Sequence, residues 1–300
     1  MDQQEEKKNR TKNYATIANE IARNAKITLT CSQYNILLYL VSKIKRDDAP
    51  DTWYRVPFQE LSAALCMDNS GTYYKLVKND LKKLRDGRWC KAGNGEYLFS
   101  WLQNADYTDL VKVDDEGKMT TTGKLEISMV DKPEDIDEKK GSRWSGNIHY
   151  QFNAYIAQYL FHLTGNYTMI EIKQFVTFKH PRSIRLYMFL KSYIYKEKLE
   201  NNEPIFVKKN IEELRKLMVY GTDKEYGSSV KFFNRDVIKP GVEEINTKTA
   251  EFHVDYVFEK DPYDKTYKVI KFTITKAGRA QAETARQKLE YIRKKRNTQE

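Results

Sequence analysis

Cysteine is scarce in this sequence of 300 residues. Cys31, Cys66 and Cys90 lie far apart and form no CxxC pair, a spacing that fits neither a disulfide framework nor a zinc site. Cys31 and Cys66 fall in helical patterns, where a small buried thiol is common. Three unpaired thiols indicate a reducing compartment, so we expect a cytoplasmic protein.

Long apolar runs are also absent. No stretch approaches the roughly 18 apolar residues that a membrane span requires. The N-terminal sequence MDQQEEKKNR is charged and lacks the apolar centre of a signal peptide. The sequence therefore predicts no export signal and no membrane partner.

The motifs of common enzymes that act on DNA are missing as well. No GxxxxGK[ST] phosphate loop exists, because methionine follows the Gly-Lys pair at 117–118 and leucine follows the pair at 123–124. A metal-dependent nickase needs clustered histidines beside a nucleophilic tyrosine. The four histidines are isolated instead: His149, His162, His180 and His253. We therefore expect no enzyme activity, no catalytic residue, no metal and no cofactor.

Positive charge is what the sequence has in excess. The formal net charge is +10 and the pI is near 9.2. Apolar residues make up 40% of the chain and aromatic residues 13%, which is enough to build folded cores. Between Lys276 and Glu300, eight basic residues stand against three acidic ones. A polyanion is therefore the first partner to consider.

The first half has the order of elements expected of a winged-helix domain over residues 27–147, after a mobile polar tail at 1–26. The pattern predicts a helix from 31 to about 45, a strand at 53–58, a helix at 59–65, a helix at 72–86 and a hairpin at 89–102. An Asn-Gly pair marks the hairpin turn. Residues 114–147 are acidic and rich in turn residues, with one plausible strand at 125–130. They are interpreted as an interdomain linker or a surface excursion of the first domain.

The second half repeats this order over residues 148–276. It contains a helix at 183–196, a strand at 205–207, a helix at 210–218, a basic helix at 228–246 and a hairpin at 251–275. Residues of like character recur at an offset of 153, for example Tyr34 with Tyr187 and Leu61 with Leu214. We therefore predict an α+β fold of two tandem, pseudo-duplicated winged-helix domains. A basic C-terminal helix and tail at 277–300 follows them, and it could bind nucleic acid, bind a protein or aid solubility.

The basic helix of the second half has two unlike sides. At 100° per residue, its apolar stripe contains Val230, Phe233, Val237, Gly241 and Ile245, and the opposite side is cationic. A cationic helix side suits the major groove, because guanidinium and ammonium groups reach guanine edges and phosphates. Pro240 should kink the helix, so the base-reading part is expected before it.

The candidate DNA-contacting residues follow from these faces. On the basic helix they are Ser228, Ser229, Lys231, Asn234, Arg235 and Lys239; Asn234 could pair with adenine or simply pack. Around the tip of the following hairpin they are Lys260, Lys265 and Lys268. In the first half, the helix at 72–86 exposes Lys75, Lys78 and Lys82 without an arginine, which favours phosphate contacts over base reading. A charged helix face can also be merely solvated, but the lysine-rich hairpin beside it favours DNA.

The order and spacing of several segments resemble a known family. These segments are LTCSQYNILLYLVSKI (29–44), VPFQELSAAL (56–65), SIRLYMFLKSY (183–193), IEELRKLM (211–218), FNRDVIKPGVEEINTKT (233–249) and VIKFTI (269–274). Together they resemble the Rep_3-type, iteron-binding plasmid replication initiators, which are built from two winged-helix domains. The family's helix is typically richer in arginine at the positions of Asn234 and Asp236, so a different target sequence is expected here.

The resemblance implies a plasmid DNA replication initiator. The C-terminal module would read directly repeated duplex sites, the iterons, and the N-terminal module would contact adjacent DNA and form a homodimer interface. Monomers would open the origin and recruit the host initiator and replicative helicase, whereas dimers would repress the protein's own promoter. Two alternatives remain: a plasmid-encoded transcriptional repressor without initiator activity, and a tyrosine-dependent origin nickase.

Overall fold

The structure is a computed structural model. It describes residues 14–66, 71–92, 95–106, 111–113, 119–121, 147–219, 229–263 and 265–297.

The described residues contain the following helices and strands. The helices are α1 (Asn19–Asn24), α2 (Cys31–Val41), α3 (Phe58–Ala64), α4 (Gly71–Asp86), α5 (Ala154–Ala157), α6 (Ile172–Phe175), α7 (Pro181–Lys191), α8 (Lys196–Glu200), α9 (Ile211–Leu217), α10 (Val230–Phe233), α11 (Lys239–Lys248) and α12 (Arg279–Asn297). A π-helical turn, Asn234–Ile238, joins α10 to α11. The strands are β1 (Tyr14–Ala18), β2 (Trp53–Pro57), β3 (Arg88–Ala92), β4 (Gly95–Phe99), β5 (Leu102–Asp106), β6 (Val111–Val113), β7 (Met119–Thr121), β8 (Asn147–Phe152), β9 (Tyr167–Glu171), β10 (Ile205–Asn210), β11 (Phe252–Lys260) and β12 (Tyr267–Lys276).

The chain forms two compact units. One consists of Lys45–His162, and the other combines the described parts of Met1–Ile44 and Leu163–Glu300. The predicted boundary between residues 147 and 148 differs from this division. Strand β8 lies between β2 and β5 in one antiparallel sheet, so residues 147–152 belong with the unit Lys45–His162.

The unit Lys45–His162 has an aromatic core. In its sheet, the register partners Tyr54 and Tyr150 stack with ring centroids 5.2 Å apart. Helix α4 buries Val77, Leu81 and Leu84, which recur at helical spacing on its apolar side. Strands β3 and β4 pair as the predicted hairpin, whose turn residues 93–94 lie outside the described residues.

The second unit contains a three-stranded antiparallel sheet in the order β10–β12–β11. Side chains alternate across it, so one face is buried against helices, as a half-buried sheet requires. The buried residues of that face are Ile205, Val207, Phe252, Val254, Ile270, Phe272 and Ile274. Strands β11 and β12 form the predicted hairpin at 251–275, and α7, β10 and α9 precede it in the predicted order.

Residues 14–24 are folded rather than part of a polar tail. Strand β1 pairs antiparallel with β9, with Tyr14 opposite Glu171 and Ala18 opposite Tyr167. Ala15, Ile17 and Ile21 are buried. The alternation of small and apolar residues in YATIA supports a strand, but its partner lies about 150 residues further along the sequence. The tail predicted at 1–26 therefore needs correction from residue 14 onward.

Arg185 of α7 fixes the end of this segment. Its guanidinium donates to the backbone carbonyls of Ala22 at 2.6 Å, Ala25 at 2.7 Å and Ile21 at 3.2 Å. These carbonyls lie at the C-terminal end of α1, where helical hydrogen bonds run out and a cation is favoured. Only 2% of Arg185 is exposed, and burial lowers its pKa to about 10. The side chain thus remains charged at neutral pH.

The order of elements confirms the repeated plan. Helix α3 and helix α9 occupy corresponding positions at the 153-residue offset, and each follows a short strand and precedes a longer helical segment. The strand proposed at 125–130, most of the segment 114–147 and residues 67–70 and 220–228 lie outside the described residues.

Candidate nucleic-acid interface

The helical segment 230–248, called the basic helix below, has the two sides that its sequence predicts, except that Val230 is only half-buried. Phe233, Val237, Ile238, Val242 and Ile245 are buried. Lys231, Arg235 and Lys239 are exposed. Ser229 is half-buried and stands at the N-cap position without a side-chain capping bond, whereas Ser228 lies outside the described residues.

The basic helix continues through Pro240, and the helical turn before the proline is wider than an α-helical turn. Proline lacks the N–H for a helical hydrogen bond, and its ring crowds the carbonyl four residues earlier. The preceding turn, Asn234–Ile238, is π-helical, and the Lys239 amide donates to the Asn234 carbonyl five residues back. Such bulges let a helix continue past an irregularity. Lys231 and Arg235 therefore lie at or before the bulge.

Neighbouring helices hold the buried side of the basic helix. The Arg215 guanidinium of α9 lies 5.5 Å from the Phe233 ring centroid. Against α7, a Cβ added at Gly241 would come within 2.8 Å of the Leu186 Cδ2 atom, so a larger residue there would require the Leu186 side chain to shift. These contacts fix which side of the helix faces outward.

A buried carboxylate strengthens the same packing. Glu244 Oε1 accepts from the Lys179 amide at 3.0 Å, Oε2 accepts from the His180 amide at 3.3 Å, and Lys248 forms an ion pair with Oε1. Burial alone would raise the pKa of Glu244, but the hydrogen bonds from Lys248 and the Lys179 amide outweigh it and lower the pKa. Because folding lowers this pKa, the contribution is present near neutral pH and is lost as the pH falls through the lowered value.

Arg235 is positioned by two neighbours on the exposed side. Its Nε donates to Asp236 Oδ1 at 2.5 Å and its Nη2 to Asp236 Oδ2 at 3.1 Å. Its guanidinium carbon lies 4.7 Å from the Phe232 ring centroid. A planar guanidinium held in this way loses less side-chain entropy when it meets a guanine edge or a phosphate.

Asn234 has a packing role in this structure. It is half-buried, and its Oδ1 accepts a hydrogen bond of 2.8 Å from the Tyr256 hydroxyl of β11. Burial raises the pKa of Tyr256, so this hydroxyl keeps its proton. The contact joins the basic helix to the hairpin and favours the packing alternative over adenine recognition.

The three lysines predicted around the hairpin tip are all exposed: Lys260, Lys265 and Lys268. Lys268 Nζ lies 3.2 Å from Asp261 Oδ2, and Lys260 Nζ lies 5.1 Å from the Tyr267 ring centroid. The positive charge of Lys268 is thus partly balanced by Asp261.

Helix α4 presents the lysine stripe predicted for the first half. Lys75, Lys78 and Lys82 are exposed, on the side of the helix away from Val77 and Leu81. The predicted DNA-contacting residues are thus divided between the two units. The α4 lysines belong to Lys45–His162, and the basic helix with its hairpin belongs to the other unit.

Sequence reasoning missed the residues that hold Arg235. Phe232 lies three residues before Arg235 and Asp236 directly follows it, and the first spacing is the usual one for side-chain contacts on a helix. That signal was available in the sequence. The contact of Arg185 with the end of α1 could not be inferred from the sequence, because its partners are backbone carbonyls about 160 residues away.

Within the described ranges, no group of histidine, cysteine, aspartate and glutamate residues could hold a metal ion. Among the helices of the same residues, none is long and apolar enough to cross a membrane.

Solved structures are similar to this chain to different degrees. One, described as "Crystal structure of Pi initiator protein in complex with iteron DNA", matches with a TM-score of 0.63 at 16% sequence identity, over 89% of this chain and 98% of that chain. Another, described as SeMet derivatives of domain 2 and domain 3 of RctB, matches with a TM-score of 0.39 at 10% identity, over 81% and 80% of the two chains. No curated protein sequence matches the chain.

Family sequence models cover most of the chain. The model "Initiator Replication protein, WH1" matches residues 15–191, and "Initiator Rep protein, WH2" matches residues 210–279. The first match begins within β1, in agreement with the folded N-terminal segment. The chain therefore belongs to the family of replication initiator proteins with two winged-helix domains.

Proposed function

We propose that the chain initiates plasmid replication by binding repeated duplex sites at the origin through both winged-helix modules. The observation that carries the proposal is the membership in the initiator family over both modules. The exposed cationic side of the basic helix and the lysine-bearing hairpin beside it support it physically. The DNA-bound state of the Pi initiator, which has the same fold, is consistent with it.

In the proposed mode of binding, some cations contact bases and others contact the phosphate backbone. Arg235, and Lys231 and Lys239 beside it, would enter a major groove, where guanidinium groups pair with guanine O6 and N7. Lys260 and Lys265 would contact the backbone at the hairpin. Phosphate contacts set position and affinity, whereas base contacts set the sequence that is read.

The family resemblance suggests how a monomer and a homodimer would act, and this completes the proposal. A monomer would open the origin and recruit the host initiator and replicative helicase in the cytoplasm, and a homodimer would repress the protein's own promoter. The chain itself would act by binding, without catalysis. Incubating supercoiled origin DNA with the protein and Mg²⁺ tests the last point, since a nicked product would contradict it.

Footprinting on the DNA that flanks the protein's own gene tests the function. We expect protected segments repeated about every two helical turns, because directly repeated sites bind successive monomers on one side of the duplex. Absence of phased protection would overturn repeat binding. A plasmid that still replicates after deletion of this gene would support the repressor alternative instead.

The lysine stripe of α4 gives a quantitative prediction. Changing Lys75, Lys78 and Lys82 together to glutamine should weaken binding to repeat and random duplexes by the same factor. The slope of log affinity against log salt should become shallower by up to about 0.9 for each phosphate that these lysines neutralise. Filter binding between roughly 50 and 200 mM salt measures both effects.

A matched pair of single variants controls for net charge. Lys83 is exposed on the same helix, about 100° around the axis from Lys82. Lys82→Gln should change the salt slope and Lys83→Gln should not. Equal slopes for the two variants would show that the stripe does not contact phosphates.

A further inference from the structure

The most exposed aromatic side chain at the tip of the second hairpin has no role in the fold. Tyr263 is 95% exposed, more than any other large apolar side chain among the described residues. The ring therefore adds almost nothing to the hydrophobic stabilisation of the protein. Single exposed aromatics are common on protein surfaces, so exposure alone assigns no role, and the surroundings of the ring decide.

The turn that carries Tyr263 is tied down. The Asp261 amide donates to the Thr266 carbonyl at 2.7 Å, the Lys265 amide donates to the Asp261 carbonyl at 3.1 Å, and the Tyr263 amide donates to Asp261 Oδ1 at 2.8 Å. Pro262 restricts the backbone directly before the tyrosine. Lys265 closes the turn with a φ of 59°, in the left-handed region. A ring on such a turn is held away from the domain instead of folding back onto it.

Three exposed lysines belong to the same hairpin tip as the ring. Lys260, Lys265 and Lys268 are the exposed lysines of the tip, and Asp261, an acid of the same tip, is engaged by the turn and by Lys268. An aromatic side chain among cations matches the chemistry of nucleic-acid contact, where cations hold phosphates and the ring stacks on a base. A phosphate clamp alone would need only the lysines.

We propose that Tyr263 stacks on a base in the minor groove at the step that the hairpin reaches, and so opens the base stacking there when the protein binds a repeat. Inserted side chains unstack base steps and kink the duplex in other minor-groove proteins. The hairpin of this chain then does more than grip the backbone, because it begins the distortion that opening of the origin requires. The inference rests on the proposed function.

The test uses the full chain and repeat duplexes, found by footprinting, with 2-aminopurine placed at successive positions. The fluorescence of this base rises when it is unstacked. With the parent protein we expect a rise at one step beside the protected segment. Tyr263→Ala should lose the rise while its affinity for the repeat stays within about tenfold, because stacking on one base is partly offset by the cost of opening the step. Tyr263→Phe should keep the rise.

Tyr155→Ala is the matched control, since Tyr155 is 79% exposed, belongs to the other unit and is not among the predicted contact residues. The fluorescence rise and the affinity for the repeat should be the same with Tyr155→Ala as with the parent protein. An equal rise with Tyr263→Ala, or no rise with the parent despite a footprint, would overturn the inference and leave repeat binding intact. A loss of the rise in Tyr263→Phe would also overturn it, because the hydroxyl and not the ring would then make the contact. Absence of any footprint would overturn the proposed function itself.

Discussion

Arg185→Ala is expected to lower the free energy of unfolding by about 3–5 kcal/mol. The change removes a large side chain from a fully buried site, and it removes the Arg185 donors of the Ala22 and Ala25 carbonyls, whereas the Ile21 carbonyl keeps the Ala25 amide. Both the cavity and each unpaired buried carbonyl cost free energy. Urea unfolding followed by circular dichroism measures the change.

Arg182→Ala is the control for this prediction. Arg182 lies one turn earlier on α7 and is exposed, so its loss should cost less than about 0.5 kcal/mol. If Arg185→Ala does not fold, Arg185→Lys keeps the charge but not the three-way contact, and hydrogen exchange of the β1 amides should then become faster. Unchanged exchange in β1 would show that the guanidinium does not anchor this segment.

Arg235→Ala should weaken binding to the cognate repeat by about 1–3 kcal/mol, or roughly 5- to 150-fold, and relax selectivity at one base pair. The guanidinium is exposed and held by Asp236 and Phe232, so it is poised for a two-pronged contact with guanine. Competition binding with every single-base variant of the repeat measures both affinity and selectivity.

Two further variants distinguish base reading from simple charge. Arg235→Lys keeps the charge but cannot reproduce the planar fork, so it should stay deficient in selectivity. Lys231→Ala should weaken repeat and random duplexes alike. If Arg235→Ala binds the repeat and random DNA with unchanged affinities, the basic helix does not read bases through this residue.

The sequence contained enough to predict the order of elements in both halves. Alternating apolar residues in 252–258 and 269–274 indicated the second hairpin, and the recurrence of Phe233, Val237 and Ile245 indicated the buried side of the basic helix. These signals are local, since they depend on the period of a strand or a helix. The exposure of Lys231 and Arg235 followed from the same period.

Features that depend on distant partners could not be predicted in the same way. The sequence of residues 14–18 does not identify β9 as their pairing partner, because the rest of the fold determines which strands pair. The π-helical turn before Pro240 was not predicted either, although widening one turn accommodates proline while the helix continues. The role of Asn234 also depended on Tyr256, which is 22 residues away and enters only through the hairpin.

The pairing of β1 with β9 has a consequence for synthesis on the ribosome. At roughly 5–20 residues per second, Arg185 is made about 8–32 seconds after Ala25, whose carbonyl it holds. Strand β1 has no partner until β9 is made, and every residue of Lys45–His162 is joined to the chain before β9. Translation therefore allows the unit Lys45–His162 to fold before the N-terminal strand meets its partner, although that strand is made first.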